Sequence, residues 1–543
     1  MTHLIDRRSL ILGGSFGLGA LVGAGAAGAV EMLRASGFTH NVASGEPGPD
    51  SVLLWTRHVP AKGDDSVLTV EMSETPDFVK VVAGGGATAR RASDYTAKVT
   101  VTGLAPGKWY YYRFIASDGT RSPVGRTRTL PVGPVSRFAM AVFSCANLPY
   151  GWFNAYGHAA ARDDLDLIIH TGDYIYEYQR GYYPGVEQAI KGRLLEPANE
   201  AIHLADYRLR YACYRADADL QKLHQNFPMV AQWDDHEVAN DAWKDGAENH
   251  SPDEGDFAVR KAAAMQAYFE WMPVSGKLWT SYEIGDLATL FRPETRLTAR
   301  SERLDIGQAA MQGDDIVAEL MRLKDRMADP ARTLMGSEQE SWLYDGLSRS
   351  VRNGTKWQVL TQQVVMGNLN MPKLPASMID GLKVAPEVAM QLKASAAAAE
   401  VGLPVTLDSW GGFPAARARL LKAAQSADAD LIVFSGDSHN AWAFDLAQDG
   451  KPAGVEFGGQ SISSPGFESY LPLPPQMVAQ ALGGASPEMK WADTSQRGYV
   501  AVEITPEKVN GEWVFMKTVA ESSLATTNST RMTTTRGRRT FDL

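Results

Sequence analysis

The sequence predicts an α/β protein: a small all-β sandwich, then a larger domain of alternating strands and helices around a covered central sheet. Three observations predict it. Residues 38 to 131 run as short strands separated by turn signals, with no helical periodicity. Beyond the linker Leu130-Pro-Val-Gly-Pro-Val135, buried strand-like runs alternate with helical ones. At 543 residues the chain is also too long for one ordinary core.

The elements follow in order. Arg7-Arg8 precedes a Gly/Ala-rich apolar stretch that ends near Ala29, with small-residue cleavage sites at Ala24-Gly25-Ala26 and Ala27-Gly28-Ala29. A twin arginine before a weakly hydrophobic segment resembles a Tat export signal, so residues 1–29 are expected to be a signal peptide. The stretch is too glycine-rich for a stable spanning helix, and no membrane anchor is expected after its removal. Residues 30–132 form the expected sandwich, of the fibronectin/immunoglobulin kind. Ser51-Val-Leu-Leu-Trp-Thr-Arg57 is one strand, 67–72 and 95–101 alternate apolar and polar residues, and Trp109-Tyr-Tyr-Tyr-Arg-Phe114 is an aromatic strand after the turn Leu104-Ala-Pro-Gly107.

Residues 133–524 form the second expected domain. Runs at 138–143, 165–170, 227–233, 357–361 and 431–435 read as buried strands, and 152–162, 207–223, 259–272 and 414–427 as helices. The chain returns to β at 499–505 and 512–517 through Asn510-Gly511. Two segments, 182–205 and 368–407, look like insertions over a site. Residues 525–543 are Ser/Thr/Arg-rich and are expected to be a disordered tail.

Composition narrows the function classes. With 44% hydrophobic and 21% charged residues the chain is that of a soluble globular protein. Lys and Arg number 53 against 63 Asp and Glu, a net charge of −10, so bulk charge attracts neither nucleic acid nor an anionic membrane. An anionic substrate would have to be attracted by the site itself, which points to bound cations. The only two cysteines, Cys145 and Cys213, exclude a disulfide framework.

The chemistry sits at strand ends. Ser144-Cys145, Gly172-Asp-Tyr-Ile-Tyr176, Trp233-Asp-Asp-His-Glu237, Asn240-Asp241 and Ser435-Gly-Asp-Ser-His439 each follow a run that reads as a buried strand. In an α/β sheet, loops at the carboxyl ends of strands converge on one edge, where ligands bind. Asp173 and Tyr176, three residues apart, share a face in a helical turn. A carboxylate can bridge two cations, and a phenol joins them only when a strongly Lewis-acidic ion deprotonates it. Fe(III) fits that requirement, with Cys145 thiolate and His439 imidazole completing such a set. The bland alternatives are an aromatic packing under a loop for Tyr176 and a small buried hydrophobe for Cys145. Asp235, Asn240 and Asp437 are hard donors suited to Ca²⁺, Mg²⁺ or Mn²⁺, or else they cap helices. His236 is open between three roles: acid toward a leaving alkoxide, metal ligand, or orienting group. His158 and His170 read as structural.

These blocks resemble those of the PhoD-type alkaline phosphatase family of the metallophosphoesterase superfamily, and the resemblance runs from about residue 38 to residue 499. Asn41-Val-Ala-Ser-Gly-Glu-Pro47 and Leu54-Trp-Thr-Arg57 are similar to its N-terminal domain, and Thr333-Leu-Met-Gly-Ser-Glu-Gln-Glu-Ser-Trp-Leu343 and Ser461-Ile-Ser-Ser-Pro-Gly466 to further blocks. The resemblance implies a four-layer α/β/β/α domain and an Fe(III)–Ca²⁺ centre, with Mn, Mg and Zn open as divalent alternatives. It implies Cys145, Asp173, Tyr176 and His439 around iron, and Asp173, Asp235, Asn240 and Asp437 around calcium. The expected activity is hydrolysis of phosphate esters by attack of a metal-bound hydroxide, with His236 and Asp173 catalytic, in the periplasm or outside the cell after passage through the Tat machinery. A phosphodiesterase or phospholipase preference on the same scaffold is the alternative, and a secreted, metal-stabilised binding protein the more distant one. The sequence departs from the family at Gly411, where an acid is frequent, and at Glu294, where Asp is common.

Overall fold

The computed structural model describes residues 35–63, 65–373, 386–471 and 473–542. The expected signal peptide lies outside the described residues, as does part of the expected insertion at 368–407.

Two large sheets hold the second half of the fold together. A nine-stranded sheet has the order Thr530–Thr535, Lys508–Phe515, Gly498–Ile504, Phe138–Phe143, Leu167–His170, Pro228–Ala231, Gly37–Gly45, Ser51–Val59 and Thr96–Thr102. A seven-stranded sheet has the order Thr280–Ile284, Ala288–Arg292, Trp357–Thr361, Leu431–Ser435, Lys451–Gly458, Ala441–Gln448 and Met489–Asp493. Their centres are parallel: Phe138–Phe143, Leu167–His170 and Pro228–Ala231 in the first, and Ala288–Arg292, Trp357–Thr361, Leu431–Ser435 and Lys451–Gly458 in the second. The alternation of strands and helices pointed only to a covered central sheet, and the structure divides those strands between two sheets.

The unbroken apolar runs have a physical reason. Side chains alternate between faces of a strand, and here both faces are buried. Met140, Val142, Leu167, Ile169 and Val230 of the first sheet share a core with Leu290, Val359, Ile432, Phe434 and Val455 of the second. The alternate residues Ala139, Ala141, Phe143, Ile168 and Met229 pack on helical residues Tyr156, Tyr211, Leu223 and Tyr268. Likewise Leu360, Leu431 and Val433 pack on Leu343, Leu347, Leu420 and Leu421. Each large sheet thus has one face on the other sheet's residues and one on helices.

The N-terminal strands divide between two sheets. Val81–Arg90, Asp65–Ser73, Trp109–Ala116 and Gly125–Arg128 form a four-stranded antiparallel sheet. Gly37–Gly45 instead pairs in parallel with Pro228–Ala231, through Ser44 opposite Pro228 and Gly45 opposite Met229. The chain near residue 132 therefore marks a change of pattern but no break in the large sheet.

Two expectations need correction. The helix expected over 207–223 is two helices, Leu204–Arg215 and Ala218–Asn226, because Asp217 stops the first and caps the second by accepting the N–H groups of Asp219 and Leu220. The tail expected to be disordered over 525–543 contains the edge strand Thr530–Thr535, paired antiparallel with Lys508–Phe515. Threonine favours strands despite its polarity, and an edge strand needs only one buried face. Met532 and Thr534 supply that face, and Phe541 beyond them is buried.

The insertion at 182–205 lies against the first sheet's helices. Arg193 is its anchor: the buried guanidinium donates to the Leu148 carbonyl at 2.9 Å, pairs with Asp217 at 3.0 Å and stacks on Trp152 and Phe153. No described helix is long and apolar enough to cross a membrane.

Candidate metal centre

The two sheets bring their strand ends together. Cys145, Asp173 and Asp235 follow strands of the nine-stranded sheet, and Asp437 and His439 follow Leu431–Ser435 of the other. Their ligand atoms form three overlapping groups, each within 4.8 Å: Cys145 with Asp173 and His439, Asp173 with Asp235 and His236, and Asp234 with Asp235 and Asp437. Asp173 and Asp235 each belong to two of them. Asp173 is therefore placed where a shared ligand would be.

The loops reach this geometry through unusual backbone. Cys145, Asp173, Asp437 and His439 have φ of 61°, 54°, 62° and 61°. Side chains rarely adopt this left-handed conformation, which costs on the order of 1 kcal/mol or more per residue. It persists because the surroundings hold it. The Glu237 carboxylate accepts the N–H groups of Asp173 at 3.1 Å, Tyr174 at 2.5 Å and Asp234 at 2.6 Å, so one side chain ties two donor loops together. Gly172, at φ +118°, lets them close: a Cβ there would stand 2.3 Å from that of Asp234.

Tyr176 is central. Its phenol donates to Asp173 Oδ2 at 3.1 Å, lies 3.0 Å from His439 Nε2, and has Ser464 Oγ at 2.7 Å. His439 Nδ1 donates to the Pro465 carbonyl at 2.9 Å, which leaves the Nε2 lone pair facing Cys145, Asp173 and Tyr176. Burial lowers the His439 pKa to about 3, so the ring is neutral. Burial, with the Asp173 charge adding to it, pushes both the Cys145 thiol and the Tyr176 phenol well above their usual values.

The acidic side is overcharged. Burial, opposed by His236 but reinforced by Asp235 and Glu237, raises the Asp173 pKa well above the carboxylate range. Burial likewise raises Asp437 to about 7, against the pull of Arg296. Asp173 Oδ1, Asp234 Oδ2 and Asp235 Oδ1 are buried with no hydrogen-bond partner. Unpaired buried carboxylate oxygens are costly, and cations would satisfy them. The donor set thus fits metal ions on two counts: orphaned oxygens, and a thiol and phenol that lose their protons only beside a strongly acidic cation.

His236 sits between the halves. Burial works against its imidazolium, but Asp235, Glu177 and Asp173 outweigh it and raise its pKa well above the usual range. Nδ1 lies 2.7 Å from Glu177 Oε2, and its ring is 4.2 Å from that of Tyr176. Asn240 is turned outward: its side-chain amide donates to Glu248 at 2.9 Å, and its backbone N–H to Glu177 at 2.7 Å. His170 is buried away from the donors, bonded to Tyr156, and His158 contacts Tyr499. Cys213 lies in the core.

Several residues of the site escaped the sequence reading. Arg296 reaches Asp234, Asp408 at 2.5 Å and Asp437 at 3.0 Å, and stands 3.6 Å from Asp235. Arg300 pairs with Asp408 at 2.5 Å. Arg296 follows the buried strand Ala288–Arg292, so the strand-end rule applied to the run 287–292 would have found it. Asp408 precedes only a short turn, and the block Asp408–Phe413, compared with the family at Gly411, gave Asp408 itself no role. Glu177 and Glu237 lie inside the quoted motifs, but their contacts with backbone N–H groups are visible only in space. The site opens on one side: the Asp437 and His439 side chains are 20% and 14% exposed, whereas that of Asp173 is 1% exposed.

Two family models, a relative and a solved structure point the same way. Residues 140–513 match the model of the PhoD-like phosphatase family, and residues 25–131 match that of the PhoD-like phosphatase N-terminal domain. Alkaline phosphatase D of Bacillus subtilis (strain 168) is 32% identical over 559 residues, covering 96% of this chain and 86% of the relative. A solved structure of PhoD superposes with a TM-score of 0.77 at 29% identity, covering 94% of this chain and 92% of the other.

Proposed function

The chain belongs to the PhoD-like phosphatase family and is a phosphoric ester hydrolase, and from that premise we propose an exported, metal-dependent alkaline phosphatase. In this reading Cys145, Asp173, Tyr176 and His439 hold a trivalent ion, Fe(III). Asp173, Asp235 and Asp437 serve divalent cations, Ca²⁺ first, and Asn240, whose amide reaches Glu248, would join them only by turning its oxygen inward. The observation that carries the reading is Asp173, shared between two donor groups with one buried oxygen left without a partner.

When bound, such ions polarise the phosphoryl oxygens, lower the pKa of a water and neutralise charge on the transferring group. The chain's own residues do the rest. Glu237 and Gly172 hold the Asp173 and Asp234 loops at fixed separation. Glu177 holds the His236 ring by Nδ1, which turns Nε2 away from Glu177. His236 then gives a proton to the oxygen of the departing alcohol, and the Glu177 carboxylate against Nδ1 supplies charge that favours the protonated ring.

The reading extends to architecture and location. We take the two large sheets as the inner layers of a four-layer α/β/β/α domain, supported by cores that alternate between sheet and helix contacts. The four-stranded sheet and the strands facing it form the N-terminal sandwich, supported by the core of Val52, Leu54, Leu68, Val70, Tyr112 and Phe114. Export rests on Arg7-Arg8 and the apolar stretch behind it. Changing both arginines to Lys should leave the protein in the cytoplasm, and unaltered export would remove the Tat reading.

The deciding experiment is elemental analysis of purified wild type and Asp173→Ala, with turnover of a phosphate ester measured before and after chelation. Loss of bound metal and of turnover together is expected for the variant. Full metal content with full activity would overturn the assignment of Asp173.

A further inference from the structure

A continuous run of aromatic rings leads from the donor cluster to the surface. The Tyr176 ring lies 5.9 Å from that of Tyr183 and 4.2 Å from His236. His236 is 5.3 Å from Tyr178, and Tyr178 is 5.2 Å from Tyr182. Tyr183 packs edge-on against Tyr150 at 5.2 Å and Tyr178 at 5.4 Å, and the Tyr470 hydroxyl donates to that of Tyr183 at 3.0 Å. The inner rings are wholly or partly covered, while Tyr182 and Tyr470 are 65% and 55% exposed.

This wall is a built surface. The Tyr178 carbonyl is held by buried Arg210 at 3.1 Å. The loop that carries Tyr470 is fixed by the Arg497–Glu468 ion pair and by the Phe467 N–H, which donates to Asn440 Oδ1 at 3.1 Å. The start of the same loop supplies Ser464 to Tyr176 and Pro465 to His439. The wall is thus continuous with the donor cluster on the side where His439 is exposed.

Its chemistry selects an occupant. The hydroxyls of Tyr183 and Tyr470 satisfy each other, Tyr150 donates to Gln188 at 3.3 Å, and Tyr176 is held by Asp173. Four of the six hydroxyls of the wall are thus engaged within the protein, and the wall offers mainly ring surface. A polyol or sugar would lose hydrogen bonds to water there with few partners in exchange. A planar ring would stack or pack edge-on as the tyrosines do with one another.

We propose that this wall binds the alcohol half of the substrate and that it takes a planar aromatic alcohol, with Tyr182 and Tyr470 as specificity-determining residues. The proposal rests on the hydrolytic reading above. The test compares benzyl phosphate, cyclohexylmethyl phosphate and ethyl phosphate with the metal-loaded full-length protein. All three are primary alkyl esters, so the chemical leaving step is similar and differences report binding of the alcohol.

Wild type should favour benzyl over ethyl phosphate in kcat/KM by about tenfold or more, with cyclohexylmethyl phosphate between them. Tyr182→Ala and Tyr470→Ala should each reduce the benzyl preference by about fivefold, whereas Tyr182→Phe should retain it. Equal kcat/KM for benzyl and ethyl phosphate, equal preference for the cyclohexyl ester, or a preference unchanged in both Ala variants would overturn the aromatic site and leave hydrolysis standing. No turnover of any of the three esters by metal-loaded wild type would overturn both.

Discussion

Replacing Arg296 with Met removes the guanidinium that, among the described residues, the donor carboxylates share. Arg296 is fully buried and bonded to Asp234, Asp408 and Asp437, with Asp235 3.6 Å away. Methionine keeps much of the volume and none of the charge. In cation-free protein the change leaves Asp234 and Asp437 without their guanidinium and Asp408 with Arg300 alone, and brings Asp235 under greater repulsion. Breaking a buried pair by removing one partner costs about 3–5 kcal/mol. Arg300 still compensates Asp408, so we expect the lower half of that range, about 3 kcal/mol. A cation bound between Asp235 and Asp437 supplies positive charge at the same carboxylates, so saturating calcium should recover about half of the loss. Urea unfolding followed by tryptophan fluorescence, run in chelator and in calcium, measures both quantities. A loss below about 0.5 kcal/mol in chelator would show that Arg296 is not the counter-charge of the site. A loss of 3 kcal/mol that calcium leaves untouched would show that it is only a structural prop, and that no cation binds beside it.

Two further outcomes follow from the geometry. Gly172→Ala should abolish metal retention while leaving the N-terminal strands folded, since the new Cβ would meet Asp234 at 2.3 Å in a backbone already at φ +118°; metal content equal to wild type would refute the close approach of the two loops. His170 accepts the Gly172 N–H on Nδ1 at 3.3 Å, so its other nitrogen faces Tyr156, and burial lowers its pKa to about 3 from an ordinary 6.5. Between these values the unfolded chain binds a proton that the folded one does not, so stability is full above pH 6.5 and falls with decreasing pH by about 1.4 kcal/mol per unit. His170→Gln should flatten the acid limb of the stability profile by that slope between pH 6 and 4, and identical slopes for the two proteins would contradict it.

Much of the site was legible because its donors follow buried strands. Cys145, Asp173, Asp235, Asp437 and His439 all come after runs too apolar to be anything but core, and a parallel strand delivers its next residues to one edge. The helix break at Asp217 and the strand at Thr530–Thr535 were missed for local reasons. A capping Asp inside a periodic run looks like a surface residue, and a Thr-rich stretch looks like a solvated tail until its partner strand is known. Arg296 and Asp408 were missed for a different reason: 112 residues separate them, and their 2.5 Å contact exists only after both sheets have packed.

The sequence by itself determined the kinds of atom available: a thiol, a phenol, imidazoles and carboxylates at the ends of strands whose burial followed from their apolar runs. It also determined the α/β class, because continuous apolar strands alternating with helices must be covered on both faces. Only the tertiary structure decided which strands of the two sheets face the donors, that Asp173 stands between two groups of them, and that Asn240 turns toward Glu248. It alone decided which carboxylates Arg296 neutralises and which oxygens stay unpaired. The reason is the range of the forces. Strand and helix patterns arise from burial of neighbours along the chain, whereas electrostatic balance depends on distances of a few ångströms between residues that the chain places far apart.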